Sequence, residues 1–311
     1  MRAFFLDPAS MNLEMRDAPA PKPGPDQLLV RVRAAGLNRG EFLRHGLTKP
    51  GAAKIGGTEG AGEVEKTGAR VMGRLPGSFA EYALMDAADA IPVPQNLSWE
   101  EAAAIPLTFL VVYDMLVQQG RLKKDEWLLV TGISAGVGVA ALLAAKSIGA
   151  KVIGTSGSEE KLKRVSGMGL DLAVRTRQPD FSKKVLEATG GKGVDLVVNT
   201  VGGSVFAECI RCLGYEGRLA TVGYVDGVMK GEMDIEALHS RRLTLFGVSN
   251  KMRNAAQRSV TVEGFKRDWL PLFASGRLKP LIDRVYDFKD LPAAKERMQA
   301  DAHVGKIVIR L

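Results

Sequence analysis

The sequence predicts an α/β protein whose middle third is a doubly wound parallel sheet, and three observations predict it. Residues 127–131, Trp-Leu-Leu-Val-Thr, form an apolar run of buried-strand length. The small-residue turn Gly132-Ile133-Ser134-Ala135-Gly136-Val137-Gly138 follows at once, and a helical pattern runs on from Val139 to Ile148. From about Leu107 to Phe246 the strand–turn–helix unit then recurs at a period suited to parallel pairing.

Taken in chain order, the first region, residues 1–106, is rich in Gly and Pro and reads as short strands joined by loops. Residues 28–34 alternate in strand fashion, residues 60–65 lead into another strand, and 79–85 form a third. The middle region, residues 107–246, places strands at 127–131, 151–155, 171–174, 194–199, 218–222 and 243–246, with helices in the earlier joins. Gly149 suits a left-handed C-terminal cap for the helix before it. Gly190-Gly191 and Gly214 mark further helix ends. Six strands so arranged make a doubly wound sheet, which binds ligands at the strands' C-terminal edge. The last region, residues 247–311, holds helices around 265–275 and 291–300 and closes on a strand at 306–311.

Composition sets the outer bounds. A chain of 311 residues, 46% hydrophobic and 25% charged, is a globular protein with room for two cores at roughly 100–200 residues per domain. No apolar run reaches the ~18 residues of a membrane span. The apolar stretch at 3–6 is cut short by Asp7 and Pro8, too soon for a signal peptide, so a cytoplasmic protein is expected. The formal net charge is +8, but the basic residues are spread along the chain and form no nucleic-acid-binding block. Cys209 and Cys212 share one face of a predicted helix and lack the further ligands of a zinc site, so they read as buried small apolar residues.

The glycine turn carries the first chemistry. A pyrophosphate needs backbone N–H donors at a helix N-terminus and a chain that approaches without side chains in the way. Ser134, Ala135, Gly136, Val137 and Gly138 meet that need, with Gly138 placed for close helix–strand packing. Ala135 stands where the strict fingerprint has its second glycine; the position between a buried strand and a helix makes the assignment.

The end of the next strand selects the dinucleotide. A carboxylate there holds the ribose 2′-hydroxyl of NAD, whereas this chain has Thr155-Ser156-Gly157-Ser158. A carboxylate facing a 2′-phosphate would be repelled by about 4 kcal/mol per unit-charge pair at about 4 Å and an effective dielectric near 20. Its absence favours NADPH. Ser156 can hydrogen-bond the phosphate, Lys161 is within reach, and Arg175 or Arg177 can add a second cation. Ser158 reads as an N-cap with Glu159 and Glu160 in the first turn, where acids favour the helix dipole.

These residues resemble the zinc-independent quinone oxidoreductases, the zeta-crystallin-like branch of the medium-chain dehydrogenase/reductase superfamily, and the likeness runs nearly end to end. Residues 35–41, Ala-Gly-Leu-Asn-Arg-Gly-Glu, resemble that family's first active-site loop, and 57–64, Gly-Thr-Glu-Gly-Ala-Gly-Glu-Val, its second signature. Residues 77–82, 97–104, 156–161, 193–195 and 303–309 continue it. The resemblance implies a Rossmann domain inserted in a GroES-like, mainly β catalytic domain formed by both chain ends, and a homodimer.

It also implies Asn38 as the residue that orients the acceptor or the nicotinamide, and Asn199, Gly223, Tyr224 and Ser249 along the cofactor. Zinc-dependent relatives carry Cys and His where Asn38 and Thr58 stand, so no metal is expected. A ketone taking hydride develops a localised alkoxide that zinc stabilises. A quinone or enone spreads the charge, and hydrogen bonds suffice.

The chain departs from the family in a first loop shortened before Arg44-His45-Gly46, in an abbreviated 67–71 segment, in Val111 where threonine is frequent, and in Thr176 where some relatives have tyrosine. The reading is therefore an NADPH-dependent reductase of a small conjugated acceptor, a quinone first. Reduction of an enal, enone or enoyl thioester is the alternative, and an NADPH-binding sensor or interaction module the alternative of another class. Neither nucleic acid nor membrane is expected as a partner.

Overall fold

The computed structural model describes residues 1–42 and 52–311; Arg44, His45 and Gly46 lie outside the described residues. Two compact units are present, one made of residues 111–253 and the other of residues 1–110 with 254–311.

The 111–253 unit is built on six parallel strands: β1 (Trp127–Thr131), β2 (Lys151–Ser156), β3 (Leu172–Arg175), β4 (Val194–Asn199), β5 (Leu213–Thr221) and β6 (Thr244–Gly247). Their order across the sheet is β3-β2-β1-β4-β5-β6, so the chain winds outward from β1 twice and leaves a switch point between β1 and β4. Five helices fill the joins: α1 (Gly136–Ile148), α2 (Glu159–Ser166), α3 (Ser182–Ala188), α4 (Phe206–Cys212) and α5 (Ile235–Ser240). Apolar residues with no polar alternation put β1, β2 and β4 between helical layers. Leu129, Ile153, Val197, Phe181 and Ile210 lie in one buried cluster. Gly149 caps α1 at φ 90°, and Ser158 caps α2 by accepting from the Lys161 amide. Cys209 and Cys212 are free and buried, and burial pushes both thiols up.

Two details differ from the sequence reading. The strand expected from Arg218 starts at Leu213, and Gly214 is part of it rather than a helix end. α4 stops at Cys212 with the next residue already extended. Gly214 is small because a Cβ there would lie 2.5 Å from the Lys192 carbonyl oxygen. The last join also holds a helix, α5, opened by the Asp234 side chain accepting from the Ala237 amide.

In the other unit a mostly antiparallel sheet follows the path 282–287, 306–310, 27–36, 59–64, 70–74 and 91–92, with Tyr82–Asp86 also pairing Gln27–Gly36. A small sheet of Leu13–Asp17, Arg2–Leu6 and Lys54–Ile55 lies in the same unit. Buried clusters lie around Phe4, Phe42, Phe79 and Ile307 and around Val30, Val32, Val71 and Met85. Where the sequence suggests one helix around 265–275, two occur, Ala255–Asp268 and Leu270–Ala274. Pro271, at the start of the second helix, lacks the N–H that a continuous helix would need. Among the described residues no helix is long and apolar enough to cross a membrane.

Candidate active site

The parallel register of the six-stranded sheet brings its C-terminal ends level. Thr131 pairs with Asn199, Asn199 with Thr221, Thr221 with Gly247, and Ser156 with Arg175. The residues that follow these ends therefore share one edge, and most of the sequence-selected positions fall there.

At the centre of that edge α1 begins. Its N-cap, Ala135, has no side chain able to accept from the first turn. The leading amides of a helix have no intrahelical partner, so those of Gly136, Val137 and Gly138 remain available to an anion. Gly138 is required by sterics: a Cβ would sit 2.6 Å from the carbonyl oxygens of both Gly132 and Ile133. Ser134 is buried in the turn itself. Helix N-terminus, open amides and close backbone approach together fit a pyrophosphate.

At the tip of β2, Ser156 is buried and its Oγ accepts from the Ser158 amide at 3.3 Å. That leaves the hydroxyl hydrogen to donate elsewhere. Arg175 is exposed and paired to Glu159 at 3.2 Å. Arg177 lies across Gly157: a Cβ there would meet its Cγ and Nε at 2.5 Å. Lys161 sits in the first turn of α2. The tip thus gathers a hydroxyl and several cations, and Glu159, the nearby acid, is already paired with Arg175 and Lys163.

Asn199 is almost fully buried. Its Oδ1 accepts from the Val201 and Gly202 amides and from Thr131 Oγ1, each at 3.1 Å, while Nδ2 donates to the Gly202 carbonyl at 2.9 Å. Its side chain therefore shapes the loop after β4. Gly223 and the partly exposed Tyr224 follow β5. Ser249 follows β6 and accepts from the Lys251 amide at 3.2 Å.

Asn38 belongs to the other unit, and the reason for its surroundings is sheet register. Val308 pairs with Gly36, so Lys306, two residues earlier, comes opposite Asn38. Gly60 pairs with Ala35, so Glu59 comes beside Gly36. The space is tight, since a Cβ on Gly36 would lie 2.6 Å from the Ala103 carbonyl, 2.8 Å from Glu59 Oε1 and 2.9 Å from Lys306 Cε. Asn38 Nδ2 donates to Glu59 Oε1 at 2.8 Å, to Glu41 Oε1 at 3.0 Å and more weakly to Thr58 Oγ1 at 3.3 Å. Its Oδ1 accepts from Lys306 Nζ at 2.7 Å. Lys306 also forms an ion pair with Glu59 and donates to Thr108 Oγ1 at 3.2 Å. The other oxygen of Glu59 accepts from the Leu107 amide at 2.8 Å.

Glu41, brought round by a single turn of 3₁₀ helix at Arg39–Phe42, completes the cluster. Its Oε1 accepts from Asn38 and from the Thr58 hydroxyl; its Oε2 is buried with no hydrogen-bond partner among the described residues. Burial pushes its carboxyl up to about 7, with the Glu59 charge adding to the rise and the Thr58 and Asn38 hydrogen bonds and the Lys306 charge opposing it. Sequence reasoning does not single out Glu41, Glu59 or Lys306. A signal for Glu59 exists, a carboxylate set among glycines and alanine at the head of a buried strand. Lys306 shows none, because its partner Glu59 lies toward the opposite end of the chain. Among the described residues no group of three His, Cys, Asp or Glu side chains is placed to hold a metal ion.

Known proteins share this architecture. Residues 24–77 match the family of alcohol dehydrogenase GroES-like domains, and residues 136–261 match a family described as zinc-binding dehydrogenase. A solved NAD-dependent alcohol dehydrogenase is 30% identical, with a TM-score of 0.86 and full coverage of both chains. The quinone oxidoreductase of Thermus thermophilus, solved alone and with NADPH, is 28% identical with a TM-score of 0.87, again over the whole of both chains. The acryloyl-coenzyme A reductase of Sulfurisphaera tokodaii is 26% identical over all of both chains. A phenolphthiocerol/phthiocerol polyketide synthase of Mycobacterium tuberculosis is 30% identical over 96% of this chain, but the chain spans only 14% of that protein's length.

Proposed function

Because this chain belongs to the medium-chain dehydrogenase/reductase superfamily, we propose that it is an NADPH-dependent oxidoreductase that reduces a conjugated carbonyl compound, a quinone foremost. The dinucleotide supplies a hydride; the chain's own residues bind, orient and shield. The amides of Gly136, Val137 and Gly138 hold the pyrophosphate at the N-terminus of α1. The Ser156 hydroxyl and the cations Lys161, Arg175 and Arg177 receive the 2′-phosphate. The loop held by Asn199, with Gly223, Tyr224 and Ser249, lines the rest of the cofactor. Asn38 orients the acceptor through the cluster it organises.

One observation carries the choice of dinucleotide: the tip of β2 ends in Ser156 and Gly157, with Arg177 lying across the glycine. The acceptor class follows from the polar groups of the other unit. Asn38 and Thr58 are hydrogen-bonded to each other and to carboxylates, so a donor for a developing negative charge comes from this network when one of those hydrogens is released from its carboxylate. Such donors suit an acceptor that spreads its charge over a conjugated system. The Thermus quinone oxidoreductase supports the quinone, and the full-length likeness to an acryloyl-coenzyme A reductase supports a second reading, reduction of the carbon–carbon double bond of an enone or enoyl thioester. A homodimer belongs to the same proposal.

The test is NADPH oxidation with a quinone and with an enoyl thioester assayed side by side, each repeated with NADH. Faster turnover of the quinone with NADPH is expected. A preference for NADH would remove the cofactor reading, and faster turnover of the thioester would move the acceptor to the second reading. Tight NADPH binding without turnover of either would make the protein a cofactor-binding module instead.

A further inference from the structure

In the cluster around Asn38, hydrogen-bonding capacity is committed almost everywhere. Lys306 has three ammonium hydrogens and three partners: Glu59, Asn38 and Thr108. Glu59 has both oxygens engaged, one by Lys306 and Asn38, the other by the Leu107 amide. Lys306 therefore balances Glu59, and among the described residues nothing comparable balances Glu41. The second carboxylate shares the Asn38 amide with the first, and one ammonium group cannot neutralise both. Other nearby cations point elsewhere: Arg39 is ion-paired to Asp301 and donates to the Met298 carbonyl, while Lys295 reaches the Met11 carbonyl and lies over the Phe42 ring. Among the described residues the charged groups acting on Glu41 are Glu59 and Lys306.

A carboxyl so placed is the natural holder of a proton, and Thr58 is its outlet. With Glu41 ionised, the Thr58 hydroxyl donates inward to Oε1. With Glu41 protonated, the carboxylic acid can donate to Thr58 Oγ1, and the threonine hydrogen is released to point outward. Thr58 and Glu41 are both partly exposed residues, but Glu41 Oε2 is buried.

We propose that Glu41, acting through the Thr58 hydroxyl, delivers the proton that completes reduction of the acceptor. This rests on the oxidoreductase reading above. The acceptor takes two electrons and one hydrogen nucleus as hydride from the reduced dinucleotide, which is thereby oxidised. The negative charge left on the acceptor takes a proton from Thr58 Oγ1, forming an O–H bond on a quinone or a C–H bond on an enone. As that proton leaves, the O–H bond of Glu41 breaks and its proton restores the threonine hydroxyl. Water reprotonates Glu41 between turnovers. Thr58 is the group that meets the acceptor, and Glu41 is the positioning and supplying residue behind it.

The experiment combines a spectroscopic titration with kinetics on the full chain. Infrared difference spectra between pH 5 and 9 should show a carboxylic-acid band that titrates near 7 and vanishes in Glu41→Gln. The wild-type kcat should fall as pH rises through the same region, while Glu41→Gln loses that inflection and about a hundredfold of kcat at low pH, within the range for a positioned acid. KM should change little. Thr58→Val should behave like Glu41→Gln, and Thr58→Ser, which keeps the hydroxyl, should restore the pH inflection that Thr58→Val loses; NADPH fluorescence confirms that each variant is folded. Retention of the inflection and rate by Glu41→Gln, with the wild type active, would overturn proton delivery and leave the oxidoreductase reading standing. A wild type inert toward every acceptor would overturn both.

Discussion

Lys306 and Glu59 form an ion pair whose side chains are 6% and 0% exposed, and it closes the end of three neighbouring strands. Removing one partner leaves a buried charge with no counter-ion, which typically costs about 3–5 kcal/mol. Lys306→Met should therefore destabilise the protein by about that amount in urea unfolding. The double variant Lys306→Met with Glu59→Gln should recover part of the loss, because no bare charge remains. A single variant within about 1 kcal/mol of wild type would show that the pair does not anchor the strand ends.

Gly138 and Gly223 sit at the same sheet edge but have different freedom. A Cβ at Gly138 meets two backbone carbonyl oxygens at 2.6 Å, whereas at Gly223 the nearest atom is the Thr200 carbonyl oxygen at 3.4 Å. Backbone cannot move aside as a side-chain tip can. Gly138→Ala should push α1 away from β1, cost about 1–3 kcal/mol and weaken dinucleotide binding by at least about tenfold. Gly223→Ala should leave stability within about 0.5 kcal/mol. Thermal unfolding and fluorescence titration of both variants decide it; equal effects would mean that the turn does not constrain the helix.

The tip of β2 makes a prediction about selectivity. Ser156→Asp places a carboxylate where the proposed 2′-phosphate lies, and a repulsion of about 1.4 kcal/mol already corresponds to tenfold in affinity. Kd for NADPH should rise between about tenfold and a hundredfold while Kd for NADH changes little. Arg177→Ala should shift the ratio in the same direction by less. Parallel loss for both dinucleotides would place the phosphate elsewhere.

What was legible in the sequence is what short-range chemistry writes. The apolar runs of β1, β2 and β4 each abut a glycine, Gly132, Gly157 and Gly193, the 1–4 spacing of Ser158 and Lys161 makes a cap, and Gly149 supplies a left-handed residue. Each of these signals lies within a few residues. Asn38 was visible as a loop residue, but its partners were not. Glu59 and Lys306 reach it through the register of three strands drawn from opposite ends of the chain, and no local pattern records register. Gly214 misled for a related reason: a glycine demanded by the approach of Lys192 looks, in one dimension, like a glycine that ends a helix.

Glu41 adds a pH dependence of stability whose sign can be worked out. Its carboxyl titrates near 4.5 when exposed and is pushed up to about 7 by burial in the folded protein. Between those values the folded state holds a proton that the unfolded state has released, so stability falls as pH rises through the interval. At 1.36 kcal/mol per pH unit the full difference corresponds to about 3 kcal/mol, and the partial exposure of the residue brings the expectation to roughly 1–3 kcal/mol. Glutamine imitates the protonated acid: its oxygen can accept from Asn38 and Thr58, and it never ionises. Glu41→Gln should therefore match wild type at pH 4.5 and exceed it at pH 8, with urea midpoints diverging between the two. The gain must come from removal of this one charge, since Glu59 and Lys306 are unchanged in the variant. Parallel pH profiles for the two proteins would mean that Glu41 is ionised in the folded chain at neutral pH.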